Sequence, residues 1–213
     1  MIKKQRLLIP REKYLSAGVH IGMTSKTKDM KRFIYKIRSN GLAVLNVGIL
    51  DKKIEASATL MASMQNALVV SRKDIGKQAV EQFAKVTGVH VITKRFMPGS
   101  LTNPSFEDFF EPEVLLIIDP AADSQAIKEA VLMRIPIIGL ADTCNETKNI
   151  DVILPCNNKG KKSIALIFWL LAKRILEKRK EAGQDTDPES AKLEEFGYEP
   201  DQPTGAESQT EEE

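Results

Sequence analysis

The sequence predicts an α/β fold in which a mostly parallel sheet is covered by helices on both faces. Runs of Val, Ile and Leu recur along the chain without regular alternation, and amphipathic stretches separate them. Such apolar strands are typical of a parallel sheet that is buried on both faces. A doubly wound fold with right-handed crossovers is therefore expected. With 213 residues, 42% of them hydrophobic, the chain is long enough to bury one core.

The first predicted element is a β-hairpin in residues 33–46, FIYKIRSNGLAVLN. Apolar and polar residues partly alternate on both sides of Asn40 and Gly41. An Asn-Gly pair is typical of a type I′ turn, because both central residues of that turn need a positive φ. We therefore expect two short antiparallel strands joined by this turn, as an N-terminal extension of the domain.

The next stretch, LDKKIEASATLMASMQNA, predicts a helix with one apolar face. The residues that share this face are Leu50, Ile54, Ala58, Met61 and Met64. A stripe at this spacing is typical of a helix that packs on a core. The methionines are therefore expected in the core and not on a ligand surface.

Five apolar runs and three helical stretches complete the predicted fold. The runs are ALVVS (67–71), GVHVIT (88–93), VLLIID (114–119), IPIIGLA (135–141) and DVILP (151–155). The helical stretches are expected at 74–87, 123–134 and about 160–181. In a sheet of this kind, ligands bind outside the carboxyl ends of the strands. The loops that follow the strands are therefore the segments in which function is expected.

Charge divides the chain near residue 182. From Glu181 onward there are 12 acidic residues and one basic, so residues 1–180 hold 30 basic and 17 acidic residues, a net charge of +13. Residues 1–182 are predicted as a single α/β domain with a basic N-terminal arm, and residues 183–213 as a disordered acidic tail. Docking of Phe196 and Tyr198 on the domain is the alternative for the tail. The basic excess favours nucleic acid or anionic lipid as a partner, and a solvated lysine surface is the alternative.

Secretion and membrane insertion are not indicated. The start, MIKKQRLLIPREKY, has no apolar run that could form a signal peptide, and the chain has only two cysteines. The longest apolar run, 164–172, is about half the length of a membrane span and predicts a buried helix. The chain is therefore expected in the cytoplasm, without a membrane partner.

Nucleotide-binding motifs are incomplete. No strand is followed by G-x-G-x-x-G, and PCNNKGKKS (155–163) has only half of a P-loop. Pro155 stands where the first glycine is required, and Lys162 stands where a hydroxyl is required. A nucleotide- or phosphometabolite-binding enzyme of Rossmann-like fold remains the alternative function, but no small-molecule substrate is predicted.

Catalytic and metal sites are not predicted either. Asp119 and Asp142 follow buried strands, but turns explain both more simply, and Asp123 or Ser124 can cap the following helix. The available soft ligands are His20, His90, Cys144 and Cys156, and their spacing is not that of a zinc site. No catalytic residue, metal ligand or cofactor is therefore expected.

Three segments do predict RNA binding, because basic residues are mixed there with aromatic and small polar ones. Lys and Arg neutralise phosphates, Asn bonds to 2′-hydroxyls, and aromatic rings such as those of Phe33, Tyr35 and Phe96 can stack on bases. The third segment also begins a helix, whose N-terminus favours anions. The predicted RNA-binding residues are Lys26, Lys28, Lys31, Arg32, Lys36, Arg38, Lys94, Arg95, Asn103, Asn157, Asn158, Lys159, Lys161 and Lys162.

Longer motifs make the chain resemble a known family. They are AGVHIG (17–22), IYKIRSNGLAVLNV (34–47), RFMPGSLTN (95–103), EPEVLLIIDPAADSQAIKEA (111–130), IPIIGLADT (135–143) and DVILPCNNKGKKSIALIFWLLAKRIL (151–176). In this order they resemble the universal family of small ribosomal subunit protein number two, which includes the eukaryotic SA or laminin-receptor-precursor proteins. Bacterial relatives carry a helical hairpin where this chain has only residues 104–113, so the resemblance is to the archaeal and eukaryotic type.

The resemblance implies a flavodoxin-like, three-layer α/β/α sandwich and a structural role on the small ribosomal subunit. It implies that the partners are small-subunit rRNA and neighbouring small-subunit ribosomal proteins. It implies no catalysis and no cofactor. The expected location is accordingly the cytoplasmic small ribosomal subunit.

Overall fold

The described part of the chain, residues 7–184 and 186–198 of a computed structural model, contains five α-helices and seven strands. The helices are α1 (Arg11–Ser16), α2 (Val47–Ser63), α3 (Lys77–Thr87), α4 (Ser124–Leu132) and α5 (Lys161–Glu181). The strands are β1 (Ile34–Ile37), β2 (Ala43–Leu45), β3 (Ala67–Val70), β4 (His90–Ile92), β5 (Val114–Ile117), β6 (Ile137–Ala141) and β7 (Val152–Pro155). The predicted strands and helices are all present, and their ends differ by a few residues.

Strands β3 to β7 form one sheet in the order β4-β3-β5-β6-β7, and every neighbouring pair is parallel. Counted from β3, this is the order 2-1-3-4-5 of flavodoxin-like folds. The winding reverses between β3 and β5, which are neighbours in space but are separated in sequence by β4. The prediction of a flavodoxin-like α/β/α fold with a parallel sheet is confirmed.

Helices cover both faces of this sheet. Helices α2, α3 and α5 pack on one face, where α5 contributes nine residues to the buried cluster. Helix α4 and side chains of residues 96–101 pack on the other face. Successive residues of β5 alternate between the two, since Leu116 joins the first cluster and Leu115 the second. Within the described residues, no helix is long and apolar enough to cross a membrane.

The apolar stripe of α2 faces the core, as predicted. Its buried members are Leu50, Ile54, Ala58 and Met61. Met64, just after the helix, packs partly against the same cluster. The helix begins with Asn46 as its N-cap, whose Oδ1 accepts a hydrogen bond of 3.0 Å from the Gly48 backbone N–H.

Strands β1 and β2 form the predicted hairpin, but the type I′ turn is wrong. Gly41 has a φ of +81°, whereas Asn40 is not among the residues with positive φ. The Gly41 N–H donates to the Arg38 carbonyl (2.9 Å), and the Arg38 N–H donates to the Leu42 carbonyl (2.9 Å). The connection therefore has three residues and ends with a left-handed glycine, a geometry that needs only one positive φ.

The beginning of the predicted acidic tail packs against the domain. Phe196 is only 1% exposed, and Trp169 of α5 donates from Nε1 to the Ala191 carbonyl (2.9 Å). Leu193 and Tyr198 pack partly against the main core cluster. Disorder is therefore the wrong prediction for residues 186–198, because their few apolar side chains fit between α3 and α5. The rest of the predicted tail, residues 199–213, lies outside the described residues.

Candidate nucleic-acid interface

The carboxyl edge of the sheet, formed by the ends of β3 to β7, is filled at its centre by the protein's own side chains. Lys73 forms an ion pair with Asp119, and Asp119 Oδ1 accepts a hydrogen bond of 2.9 Å from Asn145 Nδ2. Asp123 accepts hydrogen bonds from the backbone N–H groups of Arg72 (3.1 Å) and Asp119 (3.3 Å). In flavodoxin-like sheets this is the place where ligands bind. Here the crevice between β3 and β5 holds protein groups instead.

The acidic residues of this centre have structural roles. Asp119 accepts from the Ala121 backbone N–H (3.1 Å), which is the turn expected from the sequence. Asp123 is the N-cap residue of α4, but its carboxylate does not bond to the helix and instead accepts from backbone N–H groups of the preceding loops. Burial raises the pKa of Asp123 to about 6. Burial also raises the pKa of Asp142, whose Oδ1 accepts from the Thr143 backbone N–H (2.6 Å) in the expected local turn.

Asn158 belongs to the same buried network. It is 0% exposed, and its Nδ2 donates to the carbonyl oxygens of Ile118 (3.1 Å) and Leu140 (3.4 Å) and to Asn145 Oδ1 (3.1 Å). These hydrogen bonds join the ends of β5, β6 and β7. The predicted RNA contact of Asn158 is wrong, because the side chain is enclosed and its amide bonds within the protein.

Asn157 has a different local role. Its Oδ1 accepts hydrogen bonds from the backbone N–H groups of Lys159 (3.0 Å) and Gly160 (3.2 Å), and its Nδ2 donates to the Gly18 carbonyl (3.3 Å). Ser163 Oγ donates to the Asn157 carbonyl (2.7 Å). Asn157 therefore fixes the shape of residues 155–163, which we call the lysine loop, and its half-buried side chain is held by these contacts.

The N-terminal segment, residues 18–29, crosses the carboxyl ends of β6 and β7. Asn157 donates its backbone N–H to the Val19 carbonyl (3.0 Å), and Thr27 donates its backbone N–H to the Thr143 carbonyl (2.9 Å). Thr143 Oγ1 accepts from the Met23 backbone N–H (2.9 Å). These contacts between distant parts of the chain place the basic hairpin beside the lysine loop. Two of the three predicted RNA-binding segments are thereby brought together.

Most predicted cations at this end of the carboxyl edge face solvent. The exposed ones are Lys28, Lys31, Arg32, Lys36, Arg38, Lys159 and Lys161. Lys162 is half-buried. Lys26 differs, because its Nζ donates to the carbonyl oxygens of Thr24 (2.6 Å) and Gly41 (3.1 Å) and so braces the hairpin turn.

Of the three aromatic side chains expected to stack on bases, only one is accessible. Tyr35 is 64% exposed on β1. Phe33 is buried beneath the Arg32 guanidinium, which lies 4.8 Å from the centre of its ring. Phe96 is buried in the core of the other sheet face. Stacking by Phe33 and Phe96 is therefore a wrong interpretation of the sequence.

The third predicted segment, residues 94–103, lies at the other end of the carboxyl edge. It follows β4, which is separated from β7 by four strand spacings of about 4.8 Å, roughly 19 Å in total. Lys94, Arg95 and Asn103 are exposed. This second cationic patch therefore shares the edge of the sheet with the hairpin and the lysine loop but does not adjoin them.

Glu129 positions this distant segment, and the sequence analysis missed it. Its buried carboxylate accepts hydrogen bonds from the backbone N–H groups of Gly99 (2.9 Å) and Leu101 (3.2 Å) and from Gln125 Nε2 (2.9 Å). The sequence did indicate this role, because Glu129 is three residues after Ala126 and so lies on the same, apolar face of the predicted helix. A carboxylate on the apolar face of a helix needs partners.

Potential metal and nucleophile sites are sparse. In residues 7–184 and 186–198, no group of three or more His, Cys, Asp or Glu side chains could hold a metal ion. Cys156 is buried, and burial raises the pKa of its thiol above the usual range. Cys144 is half-buried, with its Sγ 3.8 Å from Lys159 Nζ.

Comparisons with known proteins identify the family of this chain. The family model described as "Ribosomal protein S2" matches residues 14–106 and 107–178. The chain is also 49% identical over 175 residues to the small ribosomal subunit protein uS2 of Staphylothermus marinus, an archaeon. That alignment covers 81% of this chain and 80% of the relative. The resemblance found in the sequence is confirmed, and the chain belongs to the ribosomal protein S2 family.

Proposed function

We propose that this protein is a non-catalytic structural component of the small ribosomal subunit and binds rRNA with the carboxyl edge of its sheet. The observation that carries this proposal is the junction between residues 18–29 and the ends of β6 and β7. It fixes two cationic segments in one place on a rigid fold. The archaeal relative is a small ribosomal subunit protein, which supports the assignment of this chain to the small subunit.

The predicted residues divide by role within this proposal. The exposed cations of residues 28–38 and of the lysine loop neutralise rRNA phosphates, and the half-buried Lys162 joins them. Lys94, Arg95 and Asn103 contact a separate stretch of RNA, because roughly 19 Å of sheet lies between the two patches. Lys26 and Asn157 shape the binding surface. Binding of this kind is mainly electrostatic and therefore depends strongly on salt.

The partners and location follow from the same assignment. A protein that lies on the small subunit contacts neighbouring small-subunit proteins as well as rRNA, and it works in the cytoplasm. The alternative, a nucleotide- or phosphometabolite-binding enzyme, has no support in the geometry. The ion pair of Lys73 and Asp119 spans the position between β3 and β5 where such an enzyme binds its ligand.

The test is binding of the full-length protein to transcribed small-subunit rRNA over a range of salt concentrations. Lys159, Lys161 and Lys162 are replaced together by Ala. We expect weaker binding and a log-log salt slope that falls by about 0.7–0.9 for each phosphate that the variant no longer neutralises. An unchanged affinity and slope would remove the lysine loop from the interface.

The matched control removes the same positive charge at the opposite edge of the sheet. Lys85 and Lys180, at the ends of α3 and α5, and Arg134, before β6, are all exposed. Replacing these three by Ala is expected to leave the salt slope almost unchanged. Equal effects in the two triple variants would mean that binding follows net charge and not the carboxyl edge.

A further inference from the structure

A cleft of about 270 Å³ opens between α1 and the hairpin, beside the cationic surface. Its walls include Arg11 and Leu15 of α1, Tyr35 of β1 and the buried His20. Residues 46–48, the N-cap and first turn of α2, also line it. The cleft therefore combines an aromatic ring, a guanidinium and a helix N-terminus around one histidine.

His20 is the unusual member of this set. It is only 8% exposed, and its buried Nδ1 has no hydrogen-bond partner of normal geometry among the described residues. Buried nitrogen atoms of folded proteins are almost always paired, because an unpaired one is destabilising. The ring also lines the cleft, so a ligand there contacts the imidazole.

The charge state of His20 favours a ligand group that carries no charge. Burial lowers its pKa, the positive charges of Arg38 and Arg11 lower it further, and the Tyr14 carbonyl opposes the shift only in part. The imidazole is accordingly neutral at pH 7 and offers one donor and one acceptor. The edge of a nucleobase carries the complementary groups.

The surroundings fit the rest of a nucleotide. Tyr35 is the largest exposed aromatic surface of the hairpin, and an aromatic ring is a stacking platform for any base. Arg11 and the N-terminus of α2, whose first turn contains no acidic residue, favour a phosphate. The cleft has a volume of about 270 Å³, just below the roughly 300–1,000 Å³ of most small-ligand pockets. It therefore has room for no more than one nucleotide.

We propose that this cleft binds a single unpaired nucleotide of RNA. Its base stacks on Tyr35 and hydrogen-bonds to His20, and its phosphate faces Arg11 and the start of α2. The inference rests on the proposed rRNA binding and adds a base-recognising pocket to a surface that otherwise contacts phosphates. A side chain of a neighbouring protein is the other occupant that the test distinguishes.

The first experiment uses mononucleotides and the intact protein with ¹⁵N-labelled histidine. The chain has two histidines, and His90 stacks on Phe110 at the far end of the sheet, so it serves as an internal control. Adenosine, cytidine, guanosine and uridine monophosphates are titrated to roughly millimolar concentration. At least one is expected to shift the His20 imidazole resonances saturably while those of His90 stay in place.

Ribose 5-phosphate and inorganic phosphate are the control ligands. If either shifts the His20 resonances as the nucleotides do, the cleft recognises anions and not bases, and the proposal is overturned. The absence of any His20 shift with all four nucleotides also overturns it. Tyr35→Ala is expected to weaken nucleotide binding by roughly 5- to 100-fold, whereas Tyr35→Phe retains the ring and binds like the wild type.

The second experiment separates this inference from the proposed function. With rRNA, Tyr35→Ala is expected to lose affinity without a change in salt slope, since every cation that neutralises a phosphate is still present. If the wild-type protein does not bind rRNA, the proposed function fails. If it binds and Tyr35→Ala binds equally well, only the nucleotide pocket fails. Ultraviolet crosslinking of isolated small subunits is expected to attach a nucleotide to Tyr35, and attachment of another protein there overturns the proposal.

Discussion

The carboxyl edge has a centre, around Asp119, Asp123 and Asn145, and a β7 end, formed by the lysine loop and the adjacent hairpin. Both contain polar loops that follow apolar strands. At the centre these side chains bond to one another and to strand ends, as Asp119 and Asn145 do. At the β7 end, Asn157 bonds to backbone groups, and the side chains of Lys159 and Lys161 are exposed to solvent. Adjacent asparagines, 157 and 158, thus belong to different environments. This difference shows that burial, more than residue type, distinguishes residues that stabilise the fold from residues that are accessible to RNA.

The largest expected effect is that of Asn158→Asp, which tests whether the centre is structural. The substitution replaces the donor Nδ2 by a carboxylate oxygen that faces the Ile118 and Leu140 carbonyls and Asn145 Oδ1. Because a buried charge without a partner costs several kcal/mol, we expect the free energy of unfolding to fall by about 3–5 kcal/mol at pH 7. Urea unfolding curves measure this loss.

Asn157→Asp is the matched control one residue away. Asn157 uses its oxygen to accept from two backbone N–H groups, and a carboxylate can still accept both bonds. Only the longer bond to the Gly18 carbonyl is broken. We expect a decrease in the free energy of unfolding below about 1 kcal/mol. Equal decreases for the two variants would remove the distinction between the centre and the β7 end.

A smaller effect is expected from the titration of Asp123, also in the centre. Burial raises its pKa from the ordinary value near 4 to about 6 in the folded protein. Between these two values the folded state binds more protons than the unfolded state, so stability falls as pH rises through this window. Asp123→Asn removes this contribution. Between pH 4.5 and 7, the variant is expected to lose about 2 kcal/mol less stability than the wild type.

Urea unfolding of both proteins at several pH values measures this difference. The salt slope of rRNA binding, measured at pH 7, is expected to be the same for Asp123→Asn and wild type, because Asp123 is buried away from the cationic surface. Parallel stability profiles for the two proteins would contradict the raised pKa. A changed salt slope would contradict the assignment of Asp123 to the structural centre.

Thr143→Val tests the boundary between the two regions. The buried Thr143 hydroxyl accepts from the Met23 backbone N–H (2.9 Å) and donates to the Ser25 carbonyl (3.1 Å). Removing the hydroxyl leaves both groups without this partner, so we expect the free energy of unfolding to fall by about 1–2 kcal/mol. The Met23 amide should exchange its hydrogen faster, and rRNA affinity should fall because the basic segment loosens. Thr59→Val, at an exposed hydroxyl of α2, is the control and should change neither property.

The sequence predicted the fold well because parallel strands and amphipathic helices leave a local pattern of apolar residues. It predicted the basic surface of residues 28–38 because cations such as Lys31 and Lys36 cluster there in the sequence. It could not separate Asn157 from Asn158, because the partners of Asn158 are up to 40 residues away in the chain. The docking of Phe196 was only the lesser alternative, because the acidic composition of the tail outweighed its few apolar side chains.

The smallest effect on stability is expected from Lys31→Ala combined with Lys36→Ala. Both side chains are exposed at the β7 end, so the urea unfolding curve should barely change. If each contacts one phosphate, the log-log salt slope of rRNA binding should fall by about 1.4–1.8 in total. Lys85→Ala with Lys180→Ala removes the same charge at the opposite edge and should leave the slope in place. If the double variant Lys31→Ala, Lys36→Ala has the salt slope of the wild type, the two lysines belong to the solvated surface and not to the interface. If its free energy of unfolding falls, this part of the β7 end stabilises the fold, as the centre does.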